Sequence, residues 1–557
     1  MDADVVVVGA GLAGLVATCE LAGAGHCVVL VDQESEANLG GQAWWSFGGL
    51  FLVDTPEQRR MGIRDSVELA WQDWEGTAGW DRLTAEDGGP GTDHWGREWA
   101  RAYVDWAAGE KRSWLRSLGV SFFTVVGWAE RGDGTSGGHG NSVPRFHIPW
   151  GTGTGVVAPF EQQVREHIAA GRVVYRPRHR VDELVRTGPA VTGVRGAVLA
   201  ADDAPRGVAS NRDVVGDFEF GARAVVVASG GIGGDHDLVR ANWPDRLGTP
   251  PTEMLTGVPA YVDGRMLAIT EAAGGRIVNR DRMWHYVEGV RNWDPVWPNH
   301  AIRILAGPTS MWFDARGDRL PAPFMPGFDT LGTLEHLRAT GHDHSWFVTN
   351  AAVVGKEFAL SGSEQNLDLT ERRYGDVLRR PVTTVQPAVQ AFLDHGEDWL
   401  TAETVGELVE RMNTLTPQSP IDAAHLERQV LERDRQVENA FTKDAQVAAI
   451  RVARRYRGDR LTKRAFPLHR LLDPKRGPLV AVRLRVLSRK TLGGVHTDLR
   501  GRSLGPNGSP VPGLYAAGEV SGFGGGGVHG YRSLEGTFVG GCLFSGRAAG
   551  RAAAADL

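Results

Sequence analysis

The chain is poor in cysteine and almost without lysine. Three cysteines, Cys19, Cys27 and Cys542, occur in 557 residues. They form no disulfide framework and no metal-spaced set, so a reducing, cytoplasmic setting and no metal site are expected. Cys19 and Cys27 read as small buried hydrophobes of a helix and a strand. The basic residues are nearly all arginine and are scattered. With a net charge of −6, no patch points to nucleic acid or to an anionic membrane. No apolar run approaches the roughly 18 residues of a bilayer span. The first strand begins beside Asp4, which leaves no room for a signal peptide. A chain of 557 residues exceeds what one hydrophobic core usually serves, so two lobes are expected.

What is present is concentrated at the start. Val5 to Val8 reads as a buried parallel strand and leads into Gly9, Ala10, Gly11, Leu12, Ala13 and Gly14. Gly9 suits a tight turn, Gly11 lets backbone N–H groups reach a pyrophosphate, and Gly14 lets the following helix press on the strand. That helix, predicted over 12–24, would aim its positive end at phosphate. A second apolar run ends at Asp32, placed to accept a ribose hydroxyl. The fingerprint inside strand–helix–strand, with an acid about 20 residues on, is the signature of a dinucleotide site.

Further along, GGQAWWSFGG at 40–49 suggests backbone lying against a planar ligand. Residues 76–96 and 131–145 read as loops. Helical periodicity covers 99–118, a strand is expected at 120–126, a helix at 160–170, and strands near 173–175 and 191–199. The run from Ala222 to Gly231 marks a return to the first sheet. Residues 279–487 carry Trp284, His285, Tyr286, Trp293, Trp297, His300 and Trp312 in what read as loops, then helices at 402–414 and 423–441. The expected organisation is a first lobe at 1–278, an inserted lobe at 279–487, and a return to the first lobe at 488–557. The last helix is expected over 537–555.

The ordered series of these motifs, with EAAGG at 271–275, TLGGVHTD at 491–498 and PGLYAAGE at 512–519, resembles the succinate dehydrogenase/fumarate reductase flavoprotein family. Within it, the chain is similar to 3-ketosteroid Δ1-dehydrogenases and their dehydrogenase-like relatives. The resemblance implies an α/β fold, with a Rossmann-like FAD-binding domain and an inserted α+β cap domain. It implies noncovalent FAD, because Gln42 and Ala43 stand where covalent relatives carry a histidine. It implies contacts to FAD from Gly9, Ala10, Gly11, Leu12, Ala13, Gly14, Asp32 and Gln33. Gly40, Gly41, Gln42, Ser46, Gly48 and Gly49 would follow the ribityl chain and ring, and Ala228, Ser229 and Gly230 the adenosine side. Gly518 and Glu519 would hold a ribityl hydroxyl. Backbone N–H groups from Ser533 and Leu534 to Gly536 would meet the reduced flavin edge. No second dinucleotide fingerprint is present, so electrons are expected from a substrate C–H bond, leaving to a quinone or another carrier.

For α,β-dehydrogenation of a ketone, the resemblance puts Tyr531 on the carbonyl oxygen, assisted by the Glu535 N–H. The proton-transfer residue of the family falls at Phe328, which transfers no proton, so the base is sought among Tyr286, His285, His300 and Asp329. The aromatic content and the Phe324-Met325-Pro326 stretch suit a hydrophobic substrate. Two alternatives remain at this point. One is a fumarate-reductase-like ene-reductase with Arg532 clamping a carboxylate, against which Lys490 replaces the expected histidine. The other is a flavin-binding protein whose catalytic set has degenerated.

Overall fold

Val5–Val8 is buried along its whole length, as four β-branched residues without a polar alternation require. In the computed structural model, which describes residues 2–135, 137–380, 383–462 and 464–557, it lies between two parallel neighbours. Val28–Val31 flanks it on one side and Ala224–Val227 on the other. Val173–Arg176 extends the sheet past Val28–Val31, and Pro510–Ala516 extends it past Ala224–Val227, both parallel. Arg502–Leu504 closes one edge antiparallel. One sheet therefore gathers segments from both ends of the chain.

The turn after the first strand is set by contact. Gly9 has φ +104°, and a Cβ there would lie 2.6 Å from the Ala228 carbonyl oxygen. A Cβ on Gly14 would lie 1.9 Å from the Gly9 oxygen, so helix Leu12–Gly23 sits as close to the strand as glycine allows. The last helix, Thr537–Asp556, uses the same device. Cβ atoms on Gly546 and Gly550 would meet the carbonyl oxygens of Ala13 and Ala17 at 2.6 and 2.9 Å.

A second, antiparallel sheet is built on Leu479–Thr491. His344–Asn350, Trp399–Ala402 and Met283–Arg291 pair with it, Ala301–Leu305 with Met283–Arg291, and Met311–Asp314 with His344–Asn350. Helices Val405–Leu415 and Ala423–Glu438 cover part of this sheet and share a separate apolar core with Met311, Phe313 and Trp346. Leu479–Thr491 runs through the expected 487/488 boundary, and Leu255–Thr256, from the first segment, pairs with it. A three-stranded meander, His179–Thr187, Ala190–Leu199 and Val214–Gly221, stands apart.

Several expectations are corrected. The helical stretch at 99–118 is two helices, His94–Ala108 and Lys111–Ser117, broken at Gly109 (φ −90°, ψ −115°). Residues 120–126 form no strand, since Phe122 makes only an isolated bridge to Pro149. Trp284, His285, Tyr286 and Trp312 lie in strands, not loops. The helix expected at 160–170 starts earlier, as Thr152–Ala169. Residues 131–145 are mostly irregular, apart from the end strand Phe146–His147 that follows, and Ser136 lies outside the described residues. No helix among the described residues is long and apolar enough to cross a membrane.

The Gly14 contact gives a direct test. Gly14→Ala should lower unfolding stability by about 1–3 kcal/mol, because the overpacked atom meets backbone and not a movable side chain; a urea melt of the variant beside the native protein measures it.

Candidate active site

The C-terminal ends of the first sheet open into a cavity of about 520 Å³. Ligands of open parallel sheets settle at this edge. Gly9, Asp32, Ala228 and Gly518 form one wall, and Tyr286, Arg303, Leu305 and Leu487 come from the second sheet opposite. Phe123, Trp128, Phe146 and Phe358 supply aromatic surface.

The glycines divide into two kinds. Those at 40, 48 and 49 are required by protein neighbours: a Cβ would lie 2.5 Å from Val157 Cγ1, 2.5 Å from the Gly153 nitrogen and 1.8 Å from the Phe146 ring, respectively. Gly11 differs. Its φ is −73°, a Cβ there would meet nothing within 4 Å, and it lines the cavity. Neither backbone conformation nor protein packing calls for glycine there, so the space is kept for a ligand. Gly11 also caps helix Leu12–Gly23 without a side-chain bond, leaving the first-turn N–H groups for an anion.

Most of the residues expected to contact a cofactor reach the cavity. Ala10, Gly14, Ser533 and Leu534 do not line it. The Ala10 N–H donates to Asp32 (2.7 Å), and Gly14 packs beneath the turn. The Ser533 hydroxyl turns inward to Thr537 (2.9 Å), so Glu535 and Gly536 face the cavity in their place. The second Asp32 oxygen accepts from the Glu34 N–H (2.8 Å), and each oxygen keeps a lone pair for a further donor. Burial raises the Asp32 carboxyl to about 6, opposed by these two N–H bonds. Gln33 donates to Asp263 (3.3 Å). Glu519 accepts the Thr491 N–H (2.8 Å) and a bond from the Gln42 amide, whose oxygen accepts from Lys490. This Lys490–Gln42–Glu519 relay is not visible in any local motif, since Gln42 lies more than 400 residues from the other two. Burial brings the Lys490 ammonium down to about 8.

The catalytic candidates are rearranged. Tyr286 and Glu535 share the cavity with Arg303. The Arg303 guanidinium lies 3.9 Å from the Tyr286 ring centroid and donates to Glu535 (2.7 Å) and to Glu288 (3.2 Å). Burial works against the Arg303 charge, but the Glu288 and Glu535 carboxylates hold it firmly protonated. Burial, then the nearby Glu535 carboxylate, push the Tyr286 phenol well above its usual range. Arg303 was not foreseen; its neighbours Ile302 and Ile304 make it look like an ordinary strand position.

Tyr531 does not line the cavity. Its ring lies between the Arg282 and Arg246 guanidinium groups, 4.2 and 4.5 Å from the centroid. Its hydroxyl bonds Asp81 (3.0 Å) and Arg82 (3.1 Å). Arg282 is itself fixed by a fully buried ion pair to Asp93, which keeps this cluster away from the cavity. Arg532 and Phe328 are also absent from the lining. His285 is turned to the opposite face of its strand from Tyr286, as the two-residue period dictates. It stacks on Trp243 (5.1 Å), and burial lowers it to about 3. His300 stacks on Trp297 (3.6 Å) and accepts from the Val296 N–H. Asp329 caps helix Thr330–Ala339 and lies 3.2 Å from His139. With Glu130 they bring three ligand-type atoms within 4.8 Å of one another, although Glu130 and Asp329 each accept a backbone N–H.

The FAD binding domain family matches residues 4–539. The chain belongs to that family. It is 62% identical over 556 residues to a KsdD-like steroid dehydrogenase of Mycolicibacterium smegmatis, covering 100% of both chains. A KsdD-like steroid dehydrogenase of Mycobacterium tuberculosis is 60% identical over 558 residues, covering 100% of this chain and 96% of the relative. The fold is similar to that of 3-ketosteroid delta1-dehydrogenase from Sterolibacterium denitrificans in complex with 1,4-androstadiene-3,17-dione, with a TM-score of 0.68 at 17% identity over 100% of both chains. The protein is an FAD-dependent dehydrogenase with an α/β FAD domain and a cap. The open space at Gly11, the uncapped helix and the free lone pairs of Asp32 fit the pyrophosphate and ribose of FAD.

Two outcomes follow for this family member. Gly11→Val should leave the apoprotein melting as the native one does but lower bound flavin at least tenfold, read from the visible band per mole of protein. Lys490 gives a signed pH effect. Its folded value near 8 lies below the ordinary lysine value of about 10.4. The unfolded chain therefore binds the extra proton between those pH values, and stability rises with pH across that window. Lys490→Met should remove this rise in denaturant melts between pH 8 and 10.

Proposed function

We propose that this dehydrogenase oxidises the C–C bond beside the carbonyl of a 3-ketosteroid or a ketone of similar size and hydrophobicity. The observation that carries the reading is the meeting of Tyr286, Arg303 and Glu535 in one cavity that also exposes Phe123, Trp128, Phe146 and Phe358. Full-length relatives named as KsdD-like steroid dehydrogenases support the substrate class.

In this reading the Tyr286 phenol, protonated at neutral pH, donates to the substrate carbonyl oxygen and stabilises charge developing there. Glu535 removes the α-proton. A carboxylate is a competent base for a ketone once the oxygen is held by a strong donor. Arg303 is a positioning residue that holds Glu535 in the cavity by a hydrogen bond, with Glu288 holding its other side. FAD, bound noncovalently, supplies the acceptor for the β-hydride. The residues along the apolar walls exclude water while the C–C double bond forms. A quinone or another carrier would take up the two electrons. Tyr531, the expected carbonyl ligand, is replaced in this role by Tyr286.

The two assignments separate cleanly by mutation. Glu535→Gln should lower the rate of anaerobic flavin reduction by 4-androstene-3,17-dione by about 10²–10⁴ at unchanged flavin content. Tyr531→Phe should leave that rate within about a factor of three. A large loss in the second variant and none in the first would return the chemistry to Tyr531.

A further inference from the structure

The charges lining the cavity are unevenly paired. Arg303 has two carboxylates and Lys490 has Gln42. Arg489 lines the cavity without a side-chain hydrogen bond or ion pair among the described residues, and so does Arg464. Two acids are near enough to act on it, Asp459 and Glu357, and both are engaged elsewhere. Asp459 is buried in an ion pair with Arg131. Glu357 accepts from the Thr309 hydroxyl (2.6 Å), the Thr309 N–H (3.0 Å) and the Phe466 N–H. Burial raises the Glu357 carboxyl to about 7, so part of its charge is gone at neutral pH. Arg131 and Arg303 add further positive potential at the same place.

A charged guanidinium held in a partly enclosed cavity, with five donors and no acceptor among the described residues, gains from any acceptor that reaches it. Part of the surrounding wall is aromatic or aliphatic. Trp128 lies beneath Arg131 (4.9 Å) and meets Tyr456 edge-on (6.5 Å), and Leu305 and Phe358 continue the surface. The Gly11 turn and the Asp32 site that fit FAD belong to the opposite wall.

Resting on the hydrophobic-ketone reading above, we propose that Arg464 is an anion subsite. The substrate carries a carboxylate, or a group of the same charge and planarity, on its skeleton in addition to the reacting ketone. The dehydrogenase thus selects a steroid acid over a neutral steroid. The planar fork of arginine suits bidentate recognition of such a group, and the aromatic wall accommodates the rings that connect it to the ketone.

The test compares one skeleton with and without the charge. The holoenzyme is titrated anaerobically with 3-oxo-4-androstene-17β-carboxylic acid and with its methyl ester, following flavin absorption and heat of binding. The native protein should bind the acid about ten- to a hundredfold more tightly than the ester. That preference should fall to within about twofold in Arg464→Met and be partly retained in Arg464→Lys. Arg464→Gln serves where the methionine variant loses its flavin. Equal binding of acid and ester, or a preference that survives removal of Arg464, overturns the subsite. If neither compound binds while 4-androstene-3,17-dione bleaches the flavin, the subsite falls and the ketone reading stands. If the dione and the acid both leave the flavin oxidised but the acid preference collapses in the Arg464 variants, the subsite stands and the dehydrogenation reading falls.

Discussion

The carbonyl oxygen of Gly9 occupies the space that a side chain at residue 14 would fill. This one approach sets the position of helix Leu12–Gly23 on its strand, and three other features rest on it. The uncapped helix start points into the cavity. The Ala10 N–H reaches Asp32 at the end of the neighbouring strand. The last helix can lie along the first, because Gly546 and Gly550 come down on the Ala13 and Ala17 carbonyls. The closing helix of the chain thus takes its small-residue composition from a contact with the opening one.

Cavity chemistry depends on a second constraint, the separation of opposing charges into enclosed pairs. Arg303 bonds both Glu288 and Glu535 and lies against the Tyr286 ring, while burial keeps the Tyr286 phenol protonated. The phenol and the Glu535 carboxylate are thus held side by side by one guanidinium, an arrangement set by neighbours and not by residue type. The same logic explains why His285 is unsuited to proton transfer. Deep burial against Trp243 with no carboxylate at its side leaves it neutral.

Local sequence carried the nucleotide half of the fold well, because each signal there is short-range: a valine strand, a glycine turn, an acid at the end of the next strand. The cap was harder. A Trp-His-Tyr run reads as a loop until the ladder with Leu479–Thr491 is seen, and only then does strand alternation separate Tyr286 from His285. Tyr531 sits in the expected motif, yet three arginines and Asp81, drawn from separate segments, hold it elsewhere. Arg303 and Arg464 have no motif at all. What distinguishes them is which partners they have or lack, and that is a property of the assembled cavity. Gly109, with its non-helical ψ of −115°, broke a helix that periodicity alone carried through.

Leu479–Thr491 has a mechanical meaning. Its first half is laddered on both edges, to His344–Asn350 and to Trp399–Ala402, and its last residues pair with Met283 and Trp284. The same end holds Lys490 against Gln42 and offers Thr491 to Glu519. A hinge between residues 487 and 488 would have to shear hydrogen bonds of one continuous strand. The central strand of the cap therefore also forms part of the cofactor wall, so the two lobes share one continuous element at the site.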